Sequence, residues 1–332
     1  MFELIYPWLS SFLPPLLAYL GTLLILLVIA LLLVFIIPVI LGWVDRKMSA
    51  RIQSRYGPVY VGKFGLLQNI ADVVKLMGKR FIENRNIDRL AFDFVPIAFA
   101  TTGLMIILII PWGYSNLAIL ELPYNLLFLY VLLAVSPLFV LIAGWGENNK
   151  YALLGGFRGA AQIITYELSL IVVMISVALF SGSYDITKIV AAQSSAWLIE
   201  YLPVTFIVFI LASLAIIERA PFDLPEASQE LQAGWKIEYS GIKYGLFLLE
   251  EYVKVLAISM LAVYLFFGGW NGPVLPPFVW FWIKTVIFTF LFMSLRWVFN
   301  RVRIDQLVRF GLNVLLPLSI ANLLIAGLVV TL

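Results

Sequence analysis

Residues 16–41 read LLAYLGTLLILLVIALLLVFIIPVIL, without one acidic or basic side chain. A helix needs about 20 mostly apolar residues to cross the hydrocarbon of a bilayer, and this run exceeds that length. Working outward along the chain, comparable runs bounded by charge, Pro or Gly fall at Ala91–Pro111, Tyr124–Gly144, Ala161–Ser181, Tyr201–Ile217, Leu246–Phe267, Phe278–Phe299 and Gly311–Leu332. None alternates in polarity as the strands of a membrane barrel do. With Leu16–Leu41 they predict eight transmembrane helices in a single integral membrane domain, 1–332.

Composition agrees: 63% of residues are hydrophobic and 12% charged, against about 45–50% and 25% in soluble domains. There is no Cys and no His. That excludes disulfides, Cys-ligated iron–sulfur clusters, haem held by His, and the Ser-His-Asp and Cys-His nucleophile pairs. No metal site is expected, no residue is catalytic in the strict sense, and the chemistry rests on carboxylates, Lys, Arg and Tyr, or on a partner's cofactor.

The net charge of +3 is uninformative, but its distribution is not. Nearly all Lys and Arg lie in four connections, 42–90, 145–160, 218–245 and 296–310, whereas the opposite connections carry only Lys188. The positive-inside rule then places those four in the cytoplasm (or in the matrix or stroma of an organelle) and both termini outside. No cation precedes the first run, which is also longer than the apolar core of a signal peptide, so a retained span is expected there.

Within 42–90, Leu66, Ile70, Val73, Val74 and Met77 recur at helical spacing with Asp72, Lys75 and Lys79 opposite. This predicts an amphipathic interfacial helix, which completes an all-α, polytopic fold class. Just before it, Gln53-Ser54-Arg55-Tyr56-Gly57-Pro58 ends in a Gly-Pro turn that fixes the direction of Gln53 and Arg55. The 218–245 connection opens Glu218-Arg219-Ala220-Pro221-Phe222-Asp223-Leu224-Pro225-Glu226 and mixes carboxylates with residues that prefer burial. Inside the spans, Glu250 is placed to pair with Lys254 one turn on, and Lys284, near the outer end of its span, is expected to snorkel to the interface. Glu167 has no cation at helical pairing distance in its own helix, and an unpaired carboxylate in a span costs ~2.5–3.5 kcal/mol.

Six motifs in order carry a family resemblance. They are Ala71-Asp72-x-x-Lys75-Leu76, Lys150-Tyr151-Ala152-Leu153-Leu154-Gly155, Arg158-x-x-Ala161-Gln162-x-x-x-Tyr166-Glu167, Pro221-Phe222-Asp223-Leu224-Pro225-Glu226, Glu238-Tyr239-Ser240-Gly241 and Arg303-x-Asp305-Gln306-Leu307. From about residue 42 to 320 the chain resembles the quinone-site membrane subunit of respiratory complex I, the NADH dehydrogenase subunit 1 family. The resemblance implies a subunit of a proton-translocating donor:quinone oxidoreductase in a prokaryotic plasma membrane (or an organellar inner or thylakoid membrane). Quinone, or methanophenazine, would be the substrate. Iron–sulfur clusters and flavin would belong to peripheral-arm partners, with small and antiporter-like subunits beside it in the membrane. Quinone would enter between the first helix, the surface helix and the sixth helix.

Carried over residue by residue, Asp45, Arg46, Gln53 and Arg55 would line the quinone chamber, and Glu167, Glu226, Glu230, Glu238 and Glu251 the proton path. The chamber set is completed here by Arg51, Phe222 and Asp223, and the proton-path set by Glu218 and Glu250. The chain also departs from the pattern: Ile216 stands where the family has Glu, and Glu218, two residues on, would face about 200° away on an intact helix. Two other readings compete. One is the corresponding subunit of a membrane-bound hydrogenase or ferredoxin-driven ion pump that reduces no quinone. The other is a stand-alone ion-coupled transporter.

Overall fold

The computed structural model describes the chain apart from Leu13, Phe81, Ile82, Glu83, Ser115, Asn116, Glu121 and Leu332, and apart from the side chains of Glu3, Leu4, Ser228, Gln229, Val330 and Thr331. The expected end of the last span at Leu332 lies outside the described residues. A short α1 (Phe2–Ser10) leads into α2 (Pro15–Ile52), whose 38 residues make a rod of about 57 Å. A bilayer core accounts for only ~30 Å of that, so one end of α2 projects from the membrane. Next come the surface helix α3 (Gln68–Gly78) and α4 (Arg89–Ile109), whose start is capped by Asp88 accepting the Leu90 and Ala91 N–H groups.

Helices α5 (Asn125–Ala134) and α6 (Ser136–Gly146) form one broken rod. The break falls just before Pro137, which lacks the N–H needed to continue the ladder. Helix α7 (Lys150–Ser181) is capped by Asn149 at one end and by left-handed Gly182 at the other. Then follow α8 (Ile186–Ala192), α9 (Leu198–Tyr201), α10 (Pro203–Ile216), α11 (Ser228–Leu231), α12 (Gly241–Phe266) and α13 (Pro277–Val298). Last come α14 (Ile304–Phe310) and α15 (Leu316–Thr331), joined by a π-helical turn at Gly311–Leu315.

Among the described residues, six helices are long and apolar enough to cross a membrane: α2, α4, α5 with α6, α7, α13 and α14 with α15. The expected fifth and sixth runs are helical too, but neither meets that measure. Helix α10 is short, at 14 residues. Helix α12 is long enough at 26 residues but carries Lys243, Glu250, Glu251 and Lys254. Its far half, Val253 to Phe266, is buried at every position, which makes α12 an axis of the bundle rather than a lipid-facing wall. Helices α2, α3, α4 and α13 pack around it, while α7 gathers α6, α10 and α15 on its own side.

Lys284 does not snorkel. It is buried, and its ammonium donates to the carbonyls of Phe267 (2.7 Å), Gly269 (3.2 Å) and Asn271 (2.7 Å). Those carbonyls lie at and just past the end of α12, where unpaired oxygens and the helix dipole both favour a cation. The Trp197 ring, 4.9 Å away, covers the ammonium.

Candidate functional site

The 218–245 segment is not a solvated loop. It folds back into the charged end of the bundle, and two glycines permit it: a Cβ on Gly155 of α7 would meet the Trp235 nitrogen at 2.7 Å, and Gly234, at φ +57°, lies against the Pro225 carbonyl. Gln162 pins the same segment from α7, donating to the carbonyls of Ala215 (2.8 Å) and Phe222 (2.6 Å). The Phe222 ring is buried and packs 5.4 Å from Tyr166.

Arg219 sits at the centre, with its side chain almost wholly enclosed. It binds Glu251 of α12 at 3.2 Å and reaches Asp45 of α2 at 3.8 Å, with its guanidinium 5.0 Å from the centre of the Tyr252 ring. Asp45 also meets Arg296 (3.5 Å) and accepts from the Tyr252 hydroxyl (3.3 Å). Burial alone would lower the Arg219 pKa, but Glu251 and Asp45 reverse the effect and raise it.

A cavity of about 20 Å³ adjoins this network, lined among others by Glu218, Glu226, Lys236, Glu250, Glu251 and Lys254. That is room for about one water. Lys236 pairs with Glu226, and Glu250 with Lys254 at 3.0 Å. Burial would lower Lys236 as well, yet the carboxylates of Glu226, Glu251 and Glu218 hold it well above its ordinary value. Glu218 faces the cavity because α10 has ended by Ile216 and Glu218 itself takes φ +57°. The unwinding removes the rotation that an intact helix would impose, while Ile216 is buried in the apolar core. Burial pushes the Glu218 carboxyl up to about 7, with Lys254 and Lys236 opposing.

Glu167 is buried on α7 with Oε1 unpartnered, and among the described residues the charge that acts on it is Lys254 from α12. Beside it, Gly311 lets the π-helical turn lie directly against Thr165 and Tyr166. The remaining acidic residues stand apart. Glu230 is exposed and paired with Arg158 (2.6 Å), which lowers its pKa. Asp223, raised by burial and by Glu226, is held by Arg301 at 2.9 Å. Glu238 accepts from Asn149 Nδ2 at 3.0 Å, next to the enclosed Glu147.

The basic residues of 42–90 point outward. Arg46 pairs with Asp72 of α3 at 2.5 Å, and Gln53 accepts from Arg55 at 2.7 Å. Arg51 and Arg55, with Lys47, Trp43, Tyr56 and Phe64, line a cleft of about 530 Å³. On the lipid side, an apolar groove of about 590 Å³ runs between α2, α12 and α13, past Ile29, Leu33, Ile37 and Leu256 to Val44 beside Asp45. On its far side it is bounded by Phe278, Trp282 and Val286 of α13.

Sequence reasoning missed Glu147, Lys236, Tyr252 and Arg296 as members of these clusters. Each reads locally as an ordinary loop or helix residue, and only distant packing makes it otherwise.

The family described as NADH dehydrogenase matches residues 23–327. The chain is 41% identical over 309 residues to the NADH-quinone oxidoreductase subunit designated H 2 in Syntrophobacter fumaroxidans, covering 91% of this chain and 93% of that protein. It is 42% identical over 313 residues to the protein of the same name in Rhizobium meliloti, covering 91% and 95%. For the counterpart in Geobacter sulfurreducens the identity is 41% over 295 residues, covering 86% and 90%.

Proposed function

This chain belongs to the NADH dehydrogenase family, and from that premise we propose that it walls the quinone chamber of a complex I-type oxidoreductase and couples quinone reduction to proton movement. It works as one subunit of a multisubunit enzyme, as its relatives' name implies for them. The observation that carries the reading is the continuous, largely buried network from Asp45 through Arg219 and Glu251 to the cavity shared by Glu218, Glu226, Lys236, Glu250 and Lys254.

The chain crosses the membrane eight times, α10 and α12 joining the six long apolar helices. Helix α12 is buried enough to carry its charges without touching lipid. Its charged end lies in the cytoplasm and its termini outside, as the positive-inside rule places them. The quinone tail lies in the apolar groove between α2, α12 and α13, which brings the head group toward Asp45 and Arg296. Peripheral-arm iron–sulfur partners dock on the exposed cationic cleft of Arg51 and Arg55, and small and antiporter-like subunits flank the bundle.

Electrons reaching a quinone in a low-dielectric chamber create negative charge that protons must balance. Arg219 is shared between Asp45 and Glu251, so neutralising Asp45 frees Arg219 to hold Glu251 more strongly as an anion. That change in field reaches Glu218, Glu226 and Glu250 across the cavity, and Glu167 through Lys254. Each pKa unit is worth ~1.4 kcal/mol, so coupling of a few kcal/mol suffices to move a proton. The test is Glu167→Gln in the assembled complex, with quinone reduction and proton translocation measured separately. Translocation is expected to fall further than reduction, and wild-type values for both would remove Glu167 from the path.

A further inference from the structure

One past the last turn of α6, Glu147 is completely enclosed. Its Oε2 accepts the backbone N–H of Glu238 at 3.2 Å, while Oε1 has no hydrogen-bond partner. Among the described residues the charged side chain that acts on it is Glu238, which has the same sign. Its position at a helix C-terminus adds the negative end of a dipole. Enclosure, like charge and dipole all favour the neutral acid over the anion.

Among the described residues, the charged groups nearby are engaged elsewhere. From α4, Asp93 is engaged by Lys243 of α12, and Asp88 is committed to capping α4. Lys150, at the start of α7, lies over the ring of Tyr151. Tyr239 stacks on Phe92 with ring centres 4.2 Å apart, and its buried hydroxyl also lacks a hydrogen-bond partner among the described residues. Glu238 differs from Glu147 in being only half-buried and in holding the Asn149 amide.

We propose that Glu147 is a proton-binding site, a carboxylic acid that holds its proton inside the protein and exchanges it with the more accessible Glu238. In the exchange the proton leaves the Glu147 carboxyl and is taken up by the Glu238 carboxylate; the negative charge moves the opposite way and no electron is transferred. The enclosed member stores the proton and the half-buried member passes it to or from water. Burial, reinforced by the Glu238 charge and opposed by its N–H, pushes the Glu147 carboxyl up to about 9. Proton storage stands without the quinone reading; only its use in translocation rests on that reading.

The test is pH-difference infrared spectroscopy on the purified, assembled complex. A carbonyl stretch of a protonated carboxylic acid is expected at pH 7, titrating away at about pH 9. It should vanish in Glu147→Gln, which keeps an oxygen for the Glu238 N–H. Glu238→Gln removes the like charge and should lower the midpoint by about one pH unit. A band unchanged in Glu147→Gln, or a wild-type carboxyl titrating in the ordinary acidic range, overturns the proposal. Should Glu147→Gln not assemble, Glu238→Gln decides alone, and an unmoved midpoint overturns the exchange. A complex that shows the band but reduces no quinone keeps the site and removes the quinone reading. One that reduces quinone without the band does the reverse.

Discussion

Segments 42–90 and 218–245 both put cations at the charged end of the bundle, and they use them in opposite ways. In the first, Arg51 and Arg55 are exposed, and Arg46 meets Asp72 with about half of its own side chain in solvent. In the second, Arg219 and Lys236 are enclosed. The difference is supply of carboxylates. Arg219 has Asp45 and Glu251; Lys236 has Glu226, with Glu251 and Glu218 close enough to act on it. A cation leaves water where carboxylates, or converging carbonyls such as those that hold Lys284, replace its hydration. Cations that no carboxylate pairs with, such as Arg51 and Arg55, therefore stay at the surface, available to a partner, whereas cations packed among acids and large apolar residues become an internal network.

The contrast breaks most visibly at Arg219. Arg219→Met removes the enclosed cation that pairs with both Asp45 and Glu251, leaving the more exposed Arg296 to act on the two carboxylates. The expected loss of stability is about 3–5 kcal/mol, the range for stranding one partner of a buried pair. Thermal unfolding in detergent, or recovery of the assembled complex, measures it. A loss under about 1 kcal/mol, the worth of an exposed pair, would mean that water reaches this network freely, and the two segments would then not differ in kind.

A smaller effect is expected from pH. The Glu218 carboxyl is pushed up to about 7 from an ordinary 4.5, so the folded chain holds a proton there that the unfolded chain releases. Its contribution is complete below pH 4.5 and is lost as pH rises through about 7. After allowance for its partial exposure, about 1–2 kcal/mol is at stake. The midpoint of thermal unfolding should fall between pH 5 and 8, and Glu218→Gln should flatten that slope. An equal slope in the variant would assign the pH dependence to another group.

Much of this architecture is legible along the chain because the information is local. Long apolar runs mark helices, the spacing of Leu66 to Met77 announces a surface helix that forms at Gln68–Gly78, and Glu250 and Lys254 pair because one helical turn brings them together. The enclosed site is less legible because its partners are remote. Asp45 and Arg219 come from different helices and loops, and Glu147 is sealed by a segment 91 residues further on. Glu218 needed knowledge of where α10 stops, and Lys284 of the carbonyls left open at the end of α12. Periodicity reports which face of a helix is apolar; it does not report what another segment lays across its end.

The smallest effect on stability, and the one that sharpens the contrast from the other side, is expected in the cationic cleft. Arg51 and Arg55 are exposed and form no ion pair with a carboxylate among the described residues, so Arg51→Ala combined with Arg55→Ala should change the stability of the chain by about 0.5 kcal/mol or less. Arg55 would give up only its hydrogen bond to Gln53. If these side chains serve docking and the chamber entrance, the same double variant should weaken retention of the peripheral arm and slow quinone reduction, and more so at high salt, where exposed charges are screened. Co-purification and quinone reductase activity across a salt series measure both. Loss of activity with the arm retained at every salt concentration would assign the two arginines to the chamber; loss of the arm first would assign them to docking. A fully stable, fully assembled and fully active variant would leave the exposed cations as topological markers alone.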